Sequence, residues 1–123
     1  MNSSTRNTIA WILRGLLALA FIVSGGYGLL HAADNMPQMT SMGLPGWFAY
    51  LISAAELLGG IGLLLARTVR PAALGLIIIM IGAVYLHATK IPGGLAKGVP
   101  AIVLLALLVV VLLLRSRPAV RPA

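Results

Sequence analysis

The sequence predicts an all-α protein, a four-helix transmembrane bundle, and three observations lead to this fold class. Of the 123 residues, 60% are hydrophobic and 9% are charged, whereas a soluble domain has roughly 45–50% apolar residues. Several apolar runs approach the roughly 20 residues that a helix needs to cross the hydrocarbon core. The segments between them are rich in proline and glycine, which end helices. The length fits one integral membrane domain over residues 1–123.

The first apolar run predicts a helix over residues 9–30, with Asn7 or Thr8 as its N-cap. It is longer than the core of a secretory signal, and no A-x-A cleavage site follows it, so we expect a retained helix. Residues 31–46 predict a loop, because they are rich in proline and glycine. The methionines of this loop would allow it to enter the membrane interface. A second helix is predicted over residues 47–66, with Trp47 and Tyr50 as interfacial aromatics.

Two more helices follow a short turn at residues 67–71. Pro71 suits the first position of a helix, which predicts the third helix over residues 72–88. Lys90 and Pro92 end it. The fourth helix, over residues 97–114, is almost wholly aliphatic and is expected to face lipid. The tail at residues 115–123 is basic and contains proline, and we expect it to be disordered.

The distribution of basic residues predicts the orientation and excludes one class of partner. Four crossings place the N-terminus, the turn at 67–71 and the C-terminus on one side, which carries six arginines: Arg6, Arg67, Arg70, Arg115, Arg117 and Arg121. The other side carries Lys90 and Lys97. The positive-inside rule therefore predicts an N-in/C-in, multi-pass protein of the cell (inner or plasma) membrane. The net charge of +7 is spread over helix ends, so lipid is the expected partner and nucleic acid is not.

Small residues predict where the helices touch. Within lipid, close backbone approach and polar contacts hold helices together. Ala20, Ser24 and Gly28 form one stripe at four-residue spacing on helix one. A second stripe lies on helix two and contains Ala55, Gly59, Gly62 and Ala66. We therefore expect helices one and two to pack closely through these stripes.

Glu56 lies nine residues after Trp47 and eleven before Arg67, near the expected bilayer centre. A carboxylate there costs about 2.5–3.5 kcal/mol, so we expect it to face the bundle interior, protonated or partnered. Ser53 shares its helix face, and Ser24 of helix one is its expected hydrogen-bond donor. Arg14 is expected to reach the head groups instead. Two interpretations stay open: a structural acid that joins helices, or a group that binds a ligand, proton or substrate.

Four aromatic and imidazole side chains are expected at the outer ends of helices one and three: Tyr27, His31, Tyr85 and His87. They form either interfacial anchors or a polar funnel that leads down to Glu56. Direct contact between His87 and Glu56 is not expected, because about two helical turns separate their levels. Neither cysteine nor a metal-ligand pattern is present, so the sequence predicts no metal site. No self-contained catalytic motif is present, which leaves enzymatic activity open.

Several short segments, taken in order, resemble the DoxX family of small four-helix membrane proteins. SGGYGLL at residues 24–30 is similar to its S-G-x-x-K-L region, and the G-L-P turn is found at 43–45. ELLGGIGLLL at 56–65 resembles its E-x-x-G-G-x-x-L-L-L signature, and RPAA at 70–73 and His87 also fit. The resemblance spans roughly residues 12–114. The family's basic residue after helix one is replaced here by Gly28 or His31, which weakens an anion-binding role.

The resemblance implies a role near membrane redox chemistry, because the family is similar in part to a thiosulfate:quinone oxidoreductase subunit. Without cysteine, such a role needs a borrowed carrier such as quinone. The first hypothesis is therefore a protein that binds a small hydrophobic or quinone-type molecule near Glu56. It would support an oxidoreductase system, alone or with a membrane or periplasmic oxidoreductase as its partner. The alternatives are a small proton-coupled transporter of the four-helix type and a non-catalytic assembly or accessory subunit. A homo-oligomer is compatible with each.

Overall fold

A computed structural model describes residues 2–90 and 93–116 of the chain. Over these residues the protein is all-helical. The five α-helices are α1 (Ser3–Leu30), α2 (Ala32–Ser41), α3 (Phe48–Gly62), α4 (Val69–Thr89) and α5 (Val99–Ser116), and a short 3-10 helix (Gly94–Gly98) precedes α5. The all-α class expected from the sequence is confirmed.

The first helix is longer at its start than the apolar run suggests. α1 begins at Ser3, six residues before the predicted boundary, because Asn2 accepts a hydrogen bond from the Thr5 amide at 2.7 Å. This bond satisfies one of the amides that have no partner inside a helix. The predicted caps at Asn7 and Thr8 are therefore wrong. The C-terminal end at Leu30 agrees with the prediction.

The segment predicted to be a loop after α1 contains a helix instead, and that prediction is wrong. α2 carries Pro37 in its interior and Asp34 in its first turn. The acidic side chain favours the N-terminal end of a helix. At the other end the hydroxyls of Thr40 and Ser41 donate to the carbonyls of Pro37 and Gln38. Only the following residues, which include Gly43 at φ +83°, form a turn.

The remaining boundaries shift by a few residues from those expected. α3 ends at Gly62 rather than 66, because the Thr68 hydroxyl donates to the Gly62 carbonyl and stabilises a turn. α4 begins at Val69, with Pro71 in its first turn, and ends at Thr89. α5 runs to Ser116, so the first two residues of the predicted tail are helical. Residues 117–123 of that tail lie outside the described residues.

The long helices pack around a shared apolar core. α1 contacts α3 and α5, α4 also contacts α3 and α5, and α2 packs on α3. The largest fully buried side chains are Leu17, Phe21, Leu63, Val69, Leu76, Leu108 and Val111. Leu108 and Val111 show that one face of α5 belongs to the core. The expectation that this helix simply faces lipid is therefore wrong for that face.

α1 and α3 run antiparallel with their backbones in close approach, as the small-residue stripes predict. A Cβ added to Gly25 would lie 2.5 Å from the Leu57 amide nitrogen, and one added to Gly60 would lie 3.0 Å from the Ile22 nitrogen. The contact predicted for the second stripe is wrong for two of its residues, however. Gly59 and Gly62 face Leu76 and Ala72 of α4 instead of α1.

Two of the helices are long and apolar enough to cross a membrane. These are α1, with 28 residues, and α4, with 21. Shorter apolar helices at Phe48–Gly62 and Val99–Leu114 accompany them. A helix of 15 residues extends about 22 Å, so α3 alone is shorter than a hydrocarbon core of about 30 Å.

Candidate functional site

The side chain of Glu56 joins α3 to α1. The Ser24 hydroxyl of α1 donates a hydrogen bond of 2.8 Å to Oε1 of Glu56. This is the pairing expected from the depth of the two residues. Glu56 is half-buried. A carboxyl group in this position therefore has a partner on a neighbouring helix and still borders open space.

That open space is a cavity of about 620 Å³ between α2, α3 and α4. Apolar side chains supply most of its wall, and four polar residues are also part of it: Gln38, Glu56, Tyr85 and His87. On α3 the lining residues Phe48, Ile52 and Glu56 recur at four-residue spacing, so they share one helix face. The structure thus brings Glu56 and His87 to the same cavity, although no direct bond joins them in the described residues.

Local hydrogen bonding determines what the His87 ring offers to a ligand. Nδ1 of His87 lies 2.8 Å from the Ala83 carbonyl oxygen, one turn earlier on α4. Because a carbonyl oxygen only accepts, Nδ1 carries the proton, and Nε2 of the neutral ring is an acceptor. The carboxyl group of Glu56 also offers an acceptor oxygen in either protonation state. Tyr85 and Gln38 in the same wall add a hydroxyl and an amide that can donate. The cavity therefore suits an apolar molecule that carries a few polar groups.

Tyr27 and His31 are not among the residues that line this cavity. Their rings stack on each other at 4.0 Å between centroids, and Nδ1 of His31 lies 2.9 Å from the Tyr27 carbonyl oxygen. The structure therefore separates this pair from Glu56, Tyr85 and His87, which the predicted funnel had joined. A binding role for Tyr27 and His31 stays a prediction.

Ser53 lies at the interface between α3 and α1. A Cβ added to Gly28 of α1 would collide with its hydroxyl, which shows how closely the two helices pack here. Ser53 is half-buried and does not line the cavity. Of the two serines predicted near Glu56, only Ser24 is hydrogen-bonded to it.

Arg14 is the polar residue whose position the sequence does not predict. It is 3% exposed, its Nε donates to the Leu63 carbonyl at 2.7 Å, and its guanidinium lies 3.9 Å from the Trp11 ring centroid. The expectation that it reaches the head groups is therefore wrong. A guanidinium here satisfies a carbonyl at the C-terminal end of α3, where the helix dipole favours a positive charge.

No group of three His, Cys, Asp or Glu side chains lies close enough to hold a metal ion within residues 2–90 and 93–116.

Searches of curated proteins and of solved structures gave no match to the chain. The family model of DoxX matches residues 9–89, which contain all but the first six residues of α1, the whole of α2, α3 and α4, and all the residues of the candidate site. The chain is therefore a helical membrane protein that belongs to the DoxX family.

Proposed function

We propose that the protein binds a small hydrophobic, quinone-type molecule in the cavity between α2, α3 and α4, and that it supports a membrane redox system. One observation carries the proposal: an apolar cavity of about 620 Å³ has the Ser24-bonded carboxyl group of Glu56 in its wall. Ligand pockets of roughly 300–1,000 Å³ typically combine apolar walls with a few polar groups that fix orientation.

The polar groups can bind both redox forms of such a molecule. A quinol donates two O–H groups, whereas a quinone only accepts hydrogen bonds. The neutral His87 ring (at Nε2) and the Glu56 carboxyl oxygens provide acceptors, and the Tyr85 hydroxyl and the Gln38 amide provide donors. Met39 of α2 and Met42, which directly follows this helix, provide flexible apolar walls that adapt to a ring and a tail.

The redox role rests on the carrier rather than on the chain. With no cysteine in its sequence, the protein has no thiol chemistry of its own, so electrons would enter and leave through the bound molecule. We propose a membrane or periplasmic oxidoreductase as the partner that exchanges it, and an assembly with further copies is compatible with this role.

We further propose a four-helix transmembrane bundle in the plasma membrane, formed by α1, α3, α4 and α5 with both termini inside. Arg67 and Arg70 then lie on the cytoplasmic side, together with Arg6. α2 then lies on the outer side, where it packs on α3 and forms one wall of the cavity. This arrangement supports entry of a lipid-soluble ligand from the outer leaflet.

The test is a titration of the detergent-purified protein with a short-chain benzoquinol and with the corresponding benzoquinone. We expect saturable binding of both. Gly82→Leu is expected to abolish binding, because Gly82 lines the cavity and an added Cβ meets no described atom within 4 Å. Gly15→Leu is the matched control on α1, where the space is equally open. Binding that survives Gly82→Leu, or that Gly15→Leu removes equally, would contradict the proposal.

A further inference from the structure

A second cavity, of about 470 Å³, lies between α3 and α4. Glu56 and His87 are not part of its wall. It is lined by Thr68, which precedes α4, and by Pro71, Ala72, Gly75 and Ile79 of α4. On α3 its lining includes Gly59 and Gly62. The glycines have no side chains to fill the groove. The side chains of Leu58 and Leu65, which are 68% and 54% exposed, form its border. We call this cavity the α3–α4 groove.

The groove has the length of one membrane leaflet. From Thr68 to Ile79 it covers eleven residue steps along the chain, or about 16 Å at 1.5 Å per residue. Half of a hydrocarbon core is about 15 Å thick. The groove therefore starts at the level of the turn between α3 and α4 and ends near the middle of the membrane.

The start of the groove is positively charged. Arg67 and Arg70 flank Thr68 in the sequence, and both are exposed. The N-terminal end of α4 lies at the same place, has no side-chain cap and carries no acidic residue in its first turn, which the structure describes in full. The chain has two acidic residues in all: Glu56 belongs to the other cavity, and Asp34 belongs to α2. Most amides of this first turn are not available to an anion, because the Thr68 N–H is bonded to the Leu65 carbonyl, Val69 is 1% exposed and Pro71 has no N–H. The two guanidinium groups are therefore what favours a bound anion here.

We propose that the α3–α4 groove binds one acyl chain of an anionic phospholipid, whose phosphate lies at Arg67 and Arg70. The apolar groove accounts for the chain, its length for the single leaflet, and the two arginines for the headgroup charge. A second copy of the protein is disfavoured on this face, because a symmetric contact would bring two basic turns to the same level.

The test uses the purified full-length protein in nanodiscs that contain a trace of photoreactive phospholipid with a diazirine in its acyl chain. One preparation contains the phosphatidylglycerol probe and the other the phosphatidylcholine probe, with identical chains. We expect phosphatidylglycerol to label residues 55–79 at least about tenfold more than phosphatidylcholine does, because each arginine near the surface contributes about fivefold to the binding of an anionic lipid. This comparison needs no variant and so does not depend on the folding of one.

Variants then separate the headgroup from the chain. Arg67→Gln with Arg70→Gln is expected to remove the preference for phosphatidylglycerol, whereas Arg6→Gln, a change at another basic residue of the same side, leaves it intact. Gly75→Leu fills the groove, because an added Cβ at Gly75 meets no described atom within 4 Å, and is expected to reduce labelling by both probes. Equal labelling by the two headgroups, labelling spread evenly over all helices, or a preference that survives the double arginine change would each overturn the proposal.

Discussion

At the scale of single residues, the environment of Glu56 is defined by one helix on each side. Ser24 of α1 donates to its carboxyl group, and the cavity bordered by α4 lies beside it. A buried carboxyl group without a hydrogen bond is costly, and a partner on another helix reduces that cost. The serine therefore explains how the acid is tolerated, and the cavity explains what it contacts besides α1.

Two substitutions at Glu56 separate the loss of its ionisable group from the loss of its hydrogen-bond acceptor. Glu56→Gln keeps an acceptor oxygen for Ser24, so we expect the variant to fold and to bind a benzoquinol within about threefold of the unaltered protein. Glu56→Leu removes the acceptor, and we expect about tenfold weaker binding, the equivalent of one hydrogen bond. Titration of each purified variant with the benzoquinol measures its affinity. Unchanged affinity in Glu56→Leu would show that the carboxyl group does not contact the ligand.

Arg14 is expected to contribute to stability rather than to binding. Arg14→Ala leaves the Leu63 carbonyl without its guanidinium donor and removes the contact with Trp11. We expect a loss of about 2 kcal/mol in the free energy of unfolding. Denaturant unfolding in detergent measures it, with Arg6→Ala as the control. Equal stability of the two variants would contradict the buried geometry of Arg14.

At the scale of elements, the contact of α1 with α3 depends on glycines that allow the backbones to touch. A Cβ at Gly25 would lie 2.5 Å from the Leu57 nitrogen and 2.7 Å from the Ser53 carbonyl oxygen. These are backbone atoms, so they move only if the helices separate. The neighbouring Gly26 is in a different position, because a Cβ there meets no atom of the described chain within 4 Å.

Gly25→Ala and Gly26→Ala therefore form a matched pair. We expect Gly25→Ala to destabilise the protein by about 1–3 kcal/mol through overpacking, and Gly26→Ala to be neutral or to stabilise it slightly through higher helix propensity. Thermal unfolding in detergent compares the two. If the Gly25 variant is as stable as the Gly26 variant, the helices do not approach as closely as described.

The elements also show where reasoning from sequence succeeds and where it fails. Apolar runs locate both ends of α1, α3, α4 and α5 to within six residues, because burial in an apolar medium requires long apolar stretches. α2 was expected to be a loop, since Pro37 and its polar neighbours have low helix propensity. Its packing against α3, together with hydroxyl caps at its C-terminal end, compensates for that. Such compensation is tertiary and is not visible in local composition.

At the scale of the whole molecule, the site is only partly predictable for the same reason. The depth of Glu56 and of Ser24 follows from counting residues along two apolar runs, so their pairing is expected. The cavity is not, because it depends on α2 covering one side of α3. The burial of Arg14 also depends on the turn that ends α3 at Gly62, and no pattern near Arg14 indicates that turn.

The proposed topology can be tested with single introduced cysteines, because the sequence contains no cysteine of its own. Thr40 in α2 and Thr68 before α4 are both exposed threonines. In intact cells we expect Thr40→Cys to react with a membrane-impermeant maleimide and Thr68→Cys to react only after the membrane is opened. Labelling of both sites before opening, or of Thr68→Cys alone, would contradict four crossings with both termini inside.

The most direct measurement of the central proposal is the amount of quinone-type molecule that co-purifies with the protein from native membranes, determined by solvent extraction and mass spectrometry. We expect close to one molecule per chain in the unaltered protein and in Gly15→Leu, and a loss of at least tenfold in Gly82→Leu. An extract without such a molecule, or the same amount from all three proteins, would contradict a ligand site beside Glu56.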